Sequence, residues 1–217
     1  MFKTVLALDT SEQHCSIALL HNQQRWFSQQ HTPRQHTQVI WPMIQSLLMQ
    51  GNVDIKALDA IICGNGPGSF TGLRVACSFA QGLAVELDCP IIAVDTLAVL
   101  AYGAAQIDQP VIALMDARMQ AVYAASYCQS HDGWQVLMSP IELSYDQINQ
   151  YALRGYIGVG SGFDIKGLDG IRRRLKAVHH TGPITPQALL EYGLHQAQYA
   201  QTVDQFKPGY IRNKVAS

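Results

Sequence analysis

Charge is what this chain has least of. Of its 217 residues only 14% are Asp, Glu, Lys or Arg, and 22 glutamines carry much of the polarity instead; typical soluble domains hold roughly 25% charged residues. The formal net charge is −1, which excludes a global field drawing the molecule to nucleic acid or to an anionic membrane, so any RNA contact has to be local or made through a partner. The five cysteines, at 15, 63, 77, 89 and 128, include no C-x-x-C pair and are odd in number, which argues against a disulfide framework and for reduced thiols in a reducing compartment. No stretch approaches the roughly 20 apolar residues of a membrane span, and Met1-Phe2-Lys3 leads into an apolar strand without a leader-like pattern. A cytoplasmic protein with no membrane contact is the expectation. The eight histidines contain no H-x-x-x-H pair, so no two would share a helical face as ligands, and no metal site is expected.

What is there is organised around residues 64–87, where the apolar Ile61-Ile62-Cys63 runs into Gly64, Gly66, Pro67 and Gly68 and then into a long helical pattern. Gly66, Pro67, Gly68, Ser69 and Gly72 read as a structural elbow, with Ser69 as N-cap and Gly68 expected at positive φ. Three chemistries associated with such elbows fail on spacing. No register supplies the lysine of a G-x-x-x-x-G-K-[ST] phosphate loop, G-x-G-x-x-G is interrupted by Ser69 or Thr71, and Ser69 lacks the flanking glycines of a nucleophile elbow. A helix N-terminus able to hold an anion, with Arg74 one turn in, stands beside the plainer reading of a tight elbow with no ligand. From there Phe70, Leu73, Cys77, Ala80, Ala84 and Leu87 fall on one stripe, rich in small residues that let another backbone approach.

Val5–Leu8, 15–20 and 25–29 read as strands, with His21-Asn22-Gln23 joining the second pair. Residues 37–49 read as a helix stopped at Gly51-Asn52, apolar nearly all round and carrying Pro42. Strands at 59–63 and 90–94 and a helix over 96–106 complete a first half. After Gln109-Pro110 the pattern restarts: strands at 111–115, 121–127 and 134–138, a helix over 144–151, strands at 156–159 and 175–179, and a final helix opened by Thr185-Pro186. The same order appears twice, each time with an aspartate, Asp9 or Asp116, closing the first strand. This predicts an actin-like, ribonuclease-H-like α/β duplication: a domain at 1–106 and a smaller one at 107–217, with the last helix able to pack back on the first.

Gly66-Pro67-Gly68-Ser69-Phe70-Thr71-Gly72-Leu73-Arg74 resembles the hallmark of the bacterial TsaB (YeaZ) family. Leu8-Asp9-Thr10-Ser11, His36-Thr37-Gln38, Asp116-Ala117-Arg118, Gly158-Val159-Gly160-Ser161-Gly162 and Pro208-Gly209-Tyr210-Ile211-Arg212 agree in order and spacing. The resemblance spans nearly the whole chain. It implies a non-catalytic scaffold of the machinery that makes threonylcarbamoyladenosine next to the tRNA anticodon. The implied partners are a TsaD-like paralogue as heterodimer and a TsaE-like ATPase, with tRNA met indirectly through the complex and a homodimer when the paralogue is absent. The alternative is an actin-fold nucleotide-binding kinase or ATPase.

The implied partner interface comprises Ile40, Met43, Ile44 and Leu47 of the first helix and Phe70, Leu73, Arg74, Cys77, Ala80 and Ala84 of the second. No catalytic residue and no cofactor are required of the chain itself. Residual ATP or ADP contact, shared with the partner, would fall on Asp9, Asp116, Arg118, Gly160, Ser161 and Gly162. Both strand-end aspartates lack the following Asp-x-Gly glycine that lets phosphate approach the backbone, and each serves equally well as a cap for neighbouring N–H groups. Arg172-Arg173-Arg174 with Lys176, His179 and His180 is the basic cluster, read as a solvated turn more than as an RNA contact since no aromatics interleave it. Tyr210 and Arg212 are expected to dock a terminal segment on the body or on a partner.

Overall fold

The computed structural model describes residues 2–180, 182–209 and 211. The first unit comprises Met1–Thr96 and Ile184–Gly209, the second Leu97–Pro183. The division thus falls at residue 96, earlier than the 106 read from the sequence, and the final helix belongs to the first unit.

β1 (Thr4–Asp9), β2 (His14–His21) and β3 (Gln24–His31) form an antiparallel meander. Asn22 and Gln23 turn the second pair with φ of 48° and 74°, the doubly left-handed geometry that matches strand twist. α1 (His36–Gly51) leads to β4 (Ala60–Gly64), α2 (Phe70–Leu87) to β5 (Ile91–Val94), and β4 lies parallel to both β1 and β5. In the second unit α3 (Thr96–Tyr102) precedes β6 (Pro110–Arg118), β7 (Ala121–Ser130) and β8 (Gly133–Ser144); then come α4 (Tyr145–Ile148), β9 (Ile157–Val159), α5 (Asp169–Arg172) and β10 (Ala177–His180), and α6 (Pro186–His195) returns to the first. The sheet orders are β3-β2-β1-β4-β5 and, read from the other edge, β8-β7-β6-β9-β10, with the same parallel and antiparallel pairings. The duplication expected from the repeated pattern is therefore present strand for strand.

Every residue of β1 is buried because the first sheet is covered on both faces, which is why the strand reads as a continuous apolar run rather than an alternation. Leu6, Leu8, Ile17, Leu19, Ile61 and Cys63 pack with Ile40, Ile44 and Leu47 of α1 and Ala76, Cys77 and Ala80 of α2. α6 covers the alternate positions: a Cβ at Gly193 would lie 2.5 Å from Ile62. The second core gathers Ile112, Leu114, Val122, Leu143, Ile148, Phe163 and Ile171.

Local differences from the sequence reading have local causes. α1 closes on Asn52, left-handed at φ 50°, whose N–H reaches Leu48 and Met49, so Gly51 stays helical and the asparagine does the capping. The helix expected over 144–151 is only α4, opened by a reciprocal Ser144–Gln147 capping box. The one expected over 96–106 ends at Tyr102.

Two glycines on helices give opposite expectations for the same substitution. Gly82 is exposed in α2, and a Cβ added there would meet nothing within 4 Å, so Gly82→Ala should gain about 1 kcal/mol through helix propensity. Gly193→Ala should lose about 1–3 kcal/mol by overpacking Ile62. Urea denaturation checks both: midpoints shift up and down respectively with m unchanged.

Candidate functional site

The elbow is a set of close backbone approaches. β4 ends at Gly64, where a Cβ would occupy the place of the Asp9 carboxylate. Gly66 is the left-handed residue, at φ 98°, and a Cβ there would be 2.6 Å from the Gly209 carbonyl; a cis peptide joins it to Pro67. Gly68 has an ordinary φ, contrary to the sequence expectation. It is required for space, since its Cβ would lie 2.6 Å from the Ser11 carbonyl and 2.7 Å from Ser11 Cβ. At Gly72 a Cβ would collide with the Thr10 carbonyl. The residues 9–11 after β1 thus form a bed for the start of α2. Ser69 N donates to Ser11 O at 2.7 Å, Thr10 Oγ1 donates to Gly72 O at 2.7 Å, and Ser69 Oγ accepts from Gly72 N at 3.3 Å. Those bonds use N–H groups that an anion would need.

Asn65 clamps the C-terminal stretch to this elbow. Its Nδ2 donates to Lys207 O at 3.0 Å and its Oδ1 accepts from Gly209 N at 2.9 Å. Gly209 N also donates to Asn65 O at 3.1 Å, and Phe206 is buried. Pro208, Gly209 and Ile211 of the terminal motif are described; Tyr210 and Arg212 lie outside the described residues.

Asp9 is 3% exposed. Its Oδ1 accepts from Ser11 N at 3.0 Å and Ser11 Oγ at 2.8 Å, while Oδ2 has no hydrogen-bond partner. Burial pushes its carboxyl above the ordinary value, and the two bonds from Ser11 oppose that. Around it, burial with help from Asp9 pushes the Cys15 thiol up to about 12. Cys63 Sγ donates to Gly64 O at 3.6 Å and Cys77 Sγ to Asn65 Oδ1 at 3.7 Å; the neighbouring Cys77 together with burial pushes the Cys63 thiol well up, while Cys63 draws Cys77 down against the opposing effect of burial. Nearby, the His14 and His31 rings are 4.8 Å apart. His36, which opens α1, contacts Thr32 Oγ1 at 3.1 Å. Burial lowers His14, with the charges of His31 and His36 adding to it, and burial also lowers His36 against a hydrogen bond to the Glu12 backbone. Among the described residues no three His, Cys, Asp or Glu converge as metal ligands.

Of the ten residues expected to face a partner, Ile40, Met43, Ile44, Leu47, Leu73, Cys77, Ala80 and Ala84 are buried under the helices. This corrects the sequence reading. The stripe of small residues serves close helix-to-sheet approach, and the helices' other faces look outward. Phe70 and Arg74 are exposed, Phe70 by 43%, with the Arg74 guanidinium 3.8 Å above the Phe70 ring. On the same pair of helices Trp41, 38% exposed, lies 6.0 Å from the half-buried Phe79 ring, and Met49 and Val85 are exposed. Sequence reading missed Trp41, Phe79, Met49 and Val85. The available signal was that α1 has apolar residues on both sides of its buried stripe.

In the second unit the β6–β7 turn holds Arg118, Met119 and Gln120 at φ 63°, 51° and 58°. Asp116 caps it, accepting from Arg118 N at 2.8 Å and pairing with its guanidinium at 3.0 Å. Gly160, at φ 98°, would collide with the Leu114 carbonyl if it bore a Cβ, and a Cβ at Gly162 would lie 2.6 Å from Leu114 Cβ. Close packing on β6 therefore accounts for both glycines, with Ser161 opening a short 3-10 turn between them. Arg172 binds Phe163 O at 3.2 Å and Asp164 at 3.7 Å. Arg174 binds the carbonyls of Gly170, Asn149 and Tyr151. Two of the three clustered arginines thus tie the fold together.

Comparison with known proteins gives one consistent set. Residues 17–163 match the family described as "TsaD: tRNA N6-adenosine threonylcarbamoyltransferase". The chain is 35% identical to the "tRNA threonylcarbamoyladenosine biosynthesis protein TsaB" of Haemophilus influenzae, over 98% of this chain and 94% of that one. It is 33% identical to the protein of the same name from Escherichia coli, over 98% and 96%. The solved structure "YeaZ from Pseudomonas aeruginosa" superposes with a TM-score of 0.81 at 33% identity, covering 96% of this chain and 99% of that one. The actin-like fold expected from the repeat is the fold of these relatives.

Gly68→Val should lower the thermal midpoint sharply, about 2–4 kcal/mol in stability, because the obstacle is backbone that cannot step aside; Arg74→Ala should move it by under about 1 kcal/mol. Equal, small effects would mean the bed at residue 11 gives way. The histidines set a pH dependence. His14 and His36 titrate lower folded than the 6.5 of the free side chain, so the unfolded chain takes up protons first and stability falls as pH drops below about 6.5. Urea midpoints at pH 7.5 and 5.5 should differ, and His36→Gln should narrow the difference.

Proposed function

The chain belongs to the TsaB family of tRNA threonylcarbamoyladenosine biosynthesis proteins, and from that membership we propose that it acts as a non-catalytic scaffold. In this reading it pairs with a TsaD-like paralogue, which transfers the threonylcarbamoyl group from threonylcarbamoyl-AMP to N6 of the adenosine beside the tRNA anticodon. A TsaE-like ATPase assists, tRNA is met through the complex, and all of this takes place in the cytoplasm. Among the described residues no helix is long and apolar enough to cross a membrane.

The observation that carries the reading is the outward face of α1 and α2. Trp41, Phe79 and Phe70 are large aromatics in contact with solvent or half-buried, with Arg74 laid over one of them. Aromatics and arginine are the residue types that dominate interface energetics, and a helix pair offers a face that a related helix pair can match. Because this chain matches the TsaD family over much of its length, the paralogue is expected to carry the corresponding face. The same face would serve a homodimer when the paralogue is missing, at the standard size of roughly 1,600 Å² buried.

The strand ends support a non-catalytic subunit. Asp9 is sealed against Gly64 and Ser11, and Asp116 is engaged with Arg118. Neither is followed by the glycine that would let a phosphate reach the backbone. Residual ATP or ADP contact, shared with the paralogue, remains compatible with this arrangement, and no cofactor is needed by this subunit.

Co-expression with the TsaD-like paralogue followed by size-exclusion chromatography tests the pairing. Trp41→Glu and Phe70→Glu, which alter exposed positions, should each weaken the heterodimer by at least about 30-fold. They should abolish threonylcarbamoyladenosine in tRNA while the single subunit still melts cooperatively. Strong ATP turnover or tRNA modification by this chain alone, lost in Asp9→Ala, would establish the kinase or ATPase alternative instead.

A further inference from the structure

Six of the chain's Arg and Lys residues, at 154, 166, 172, 173, 174 and 176, fall within residues 152–180 against two aspartates, although the formal net charge of the whole is −1. The second unit draws most of them to one end of its sheet. β6, β9 and β10 are adjacent and parallel and start level with one another, Val111 beside Ile157 and Ile157 beside Ala177. Gln109, Gly155 and Lys176, which lead into these strands, are stitched together: Lys176 Nζ donates to Gln109 Oε1 at 2.6 Å, and Gln109 Nε2 donates to Gly155 O. Arg174 Nη1 holds the preceding loop alongside, donating to Asn149 O at 2.7 Å and to Tyr151 O at 3.3 Å. Arg154 and Arg173 flank these bonds in sequence; both are exposed and make no ion pair among the described residues. Asp108, next to Gln109, and Asp164, 3.7 Å from Arg172, oppose the cations without matching their number.

We propose that this end of the second sheet is a contact site for tRNA, with Arg154, Arg173 and Lys176 on the phosphate backbone and Tyr151 stacking on an unpaired base. The proposal rests on the family reading above and goes beyond it, because it gives this subunit a direct share of the RNA. It is distinct from the candidate nucleotide residues, since Asp116 and Gly160 lie at the far ends of β6 and β9.

Two independent observations point to RNA. Grouped cations in contact with water release counterions when phosphates replace them, and that release supplies most of the affinity for a nucleic acid backbone; the guanidinium fork also matches phosphate oxygens two at a time. The second observation is the ring. No aromatic interleaves the arginines in sequence, but Arg174 reaches back 23 residues to the Tyr151 carbonyl, and Tyr151 is 36% exposed. An exposed ring beside a cationic track is the arrangement that holds unpaired bases. An acidic protein surface would use the same charges, and membership among tRNA threonylcarbamoyladenosine biosynthesis proteins favours RNA over it. A few local contacts on a chain of low net charge give weak binding alone, so the RNA is held firmly only by the assembled complex.

Fluorescence anisotropy of a labelled, unmodified tRNA transcript, read across salt concentrations, tests this on the complex with the TsaD-like paralogue and on the chain alone. Arg154→Ala combined with Arg173→Ala should weaken binding by the complex about 10-fold and reduce the slope of log K against log salt by about 1.5. Elution of the heterodimer and the thermal midpoint should stay where they were. Tyr151→Ala should weaken binding at least about 5-fold with the slope unchanged, while Tyr151→Phe binds like the unaltered chain. The chain alone should bind the transcript with a Kd on the order of 10⁻⁴ M, and the double variant should not. That arm needs no paralogue, so a failure of pairing is told apart from a failure of the patch. Unchanged affinity and slope in the double variant, full affinity in Tyr151→Ala, or loss of the heterodimer in place of tRNA binding would each overturn the proposal, the last by marking the patch as a site for an acidic protein face.

Discussion

The first turn of α2 rests on the main chain of residues 9–11 with no room for a side chain between them, and the first unit is assembled around that contact. Gly64, Gly68 and Gly72 are each placed where a Cβ would strike Asp9, Ser11 or Thr10. Because the obstacle is mostly backbone, relaxation is costly. The same approach brings Asp9 under the elbow, gives Ser69 and Thr10 their hydrogen bonds, and fixes the angle at which α2 leaves the sheet. The faces that α1 and α2 turn outward are therefore set from within.

Much of this was legible. The repeated strand and helix order comes through because each unit alternates long apolar runs with helical stripes, and those two periods differ enough to separate by eye. The elbow declared itself through glycine density. What the residues alone did not disclose is which glycine does what. Gly66 has the left-handed backbone and Gly68 the spatial constraint, and a glycine looks the same in both roles. The helix faces were misassigned for a similar reason. Ala76, Ala80 and Ala84 signal close approach, but a sheet and a partner helix ask for the same small residues, and only the position of β1 and β4 decides between them. Once α1 and α2 cover the sheet, aromatic residues flanking the buried stripe, such as Trp41 and Phe70, are left exposed, and Phe79 stays half-buried against the core.

The candidate nucleotide residues divide along a different line. Asp9, Asp116, Gly160 and Gly162 occupy strand ends, the positions where this architecture places ligands, yet each has a structural partner in its own unit: Ser11, Arg118 and Leu114. A carboxylate whose one oxygen is occupied by Ser11 and whose other is shut in beside Gly64 is costly to keep ionised. The family's sequence signature is thus compatible with residues retained for packing at positions that in an enzyme of this fold would meet phosphate.

The final helix carries a consequence for how the protein is made. α6 covers one face of the first sheet and Phe206, beyond it, joins the core on the other, yet both follow the whole of Leu97–Pro183 along the chain. On a ribosome the second sheet, contiguous in sequence, emerges with all its strands before the first sheet receives its last cover. Val5, Ala7 and Ile62 would wait with apolar side chains uncovered while the later-made half is already able to close. Synthesis therefore inverts the order that the numbering suggests: the half begun first is the half finished last, and a stall near residue 183 would leave a nascent chain with one side of its first sheet bare.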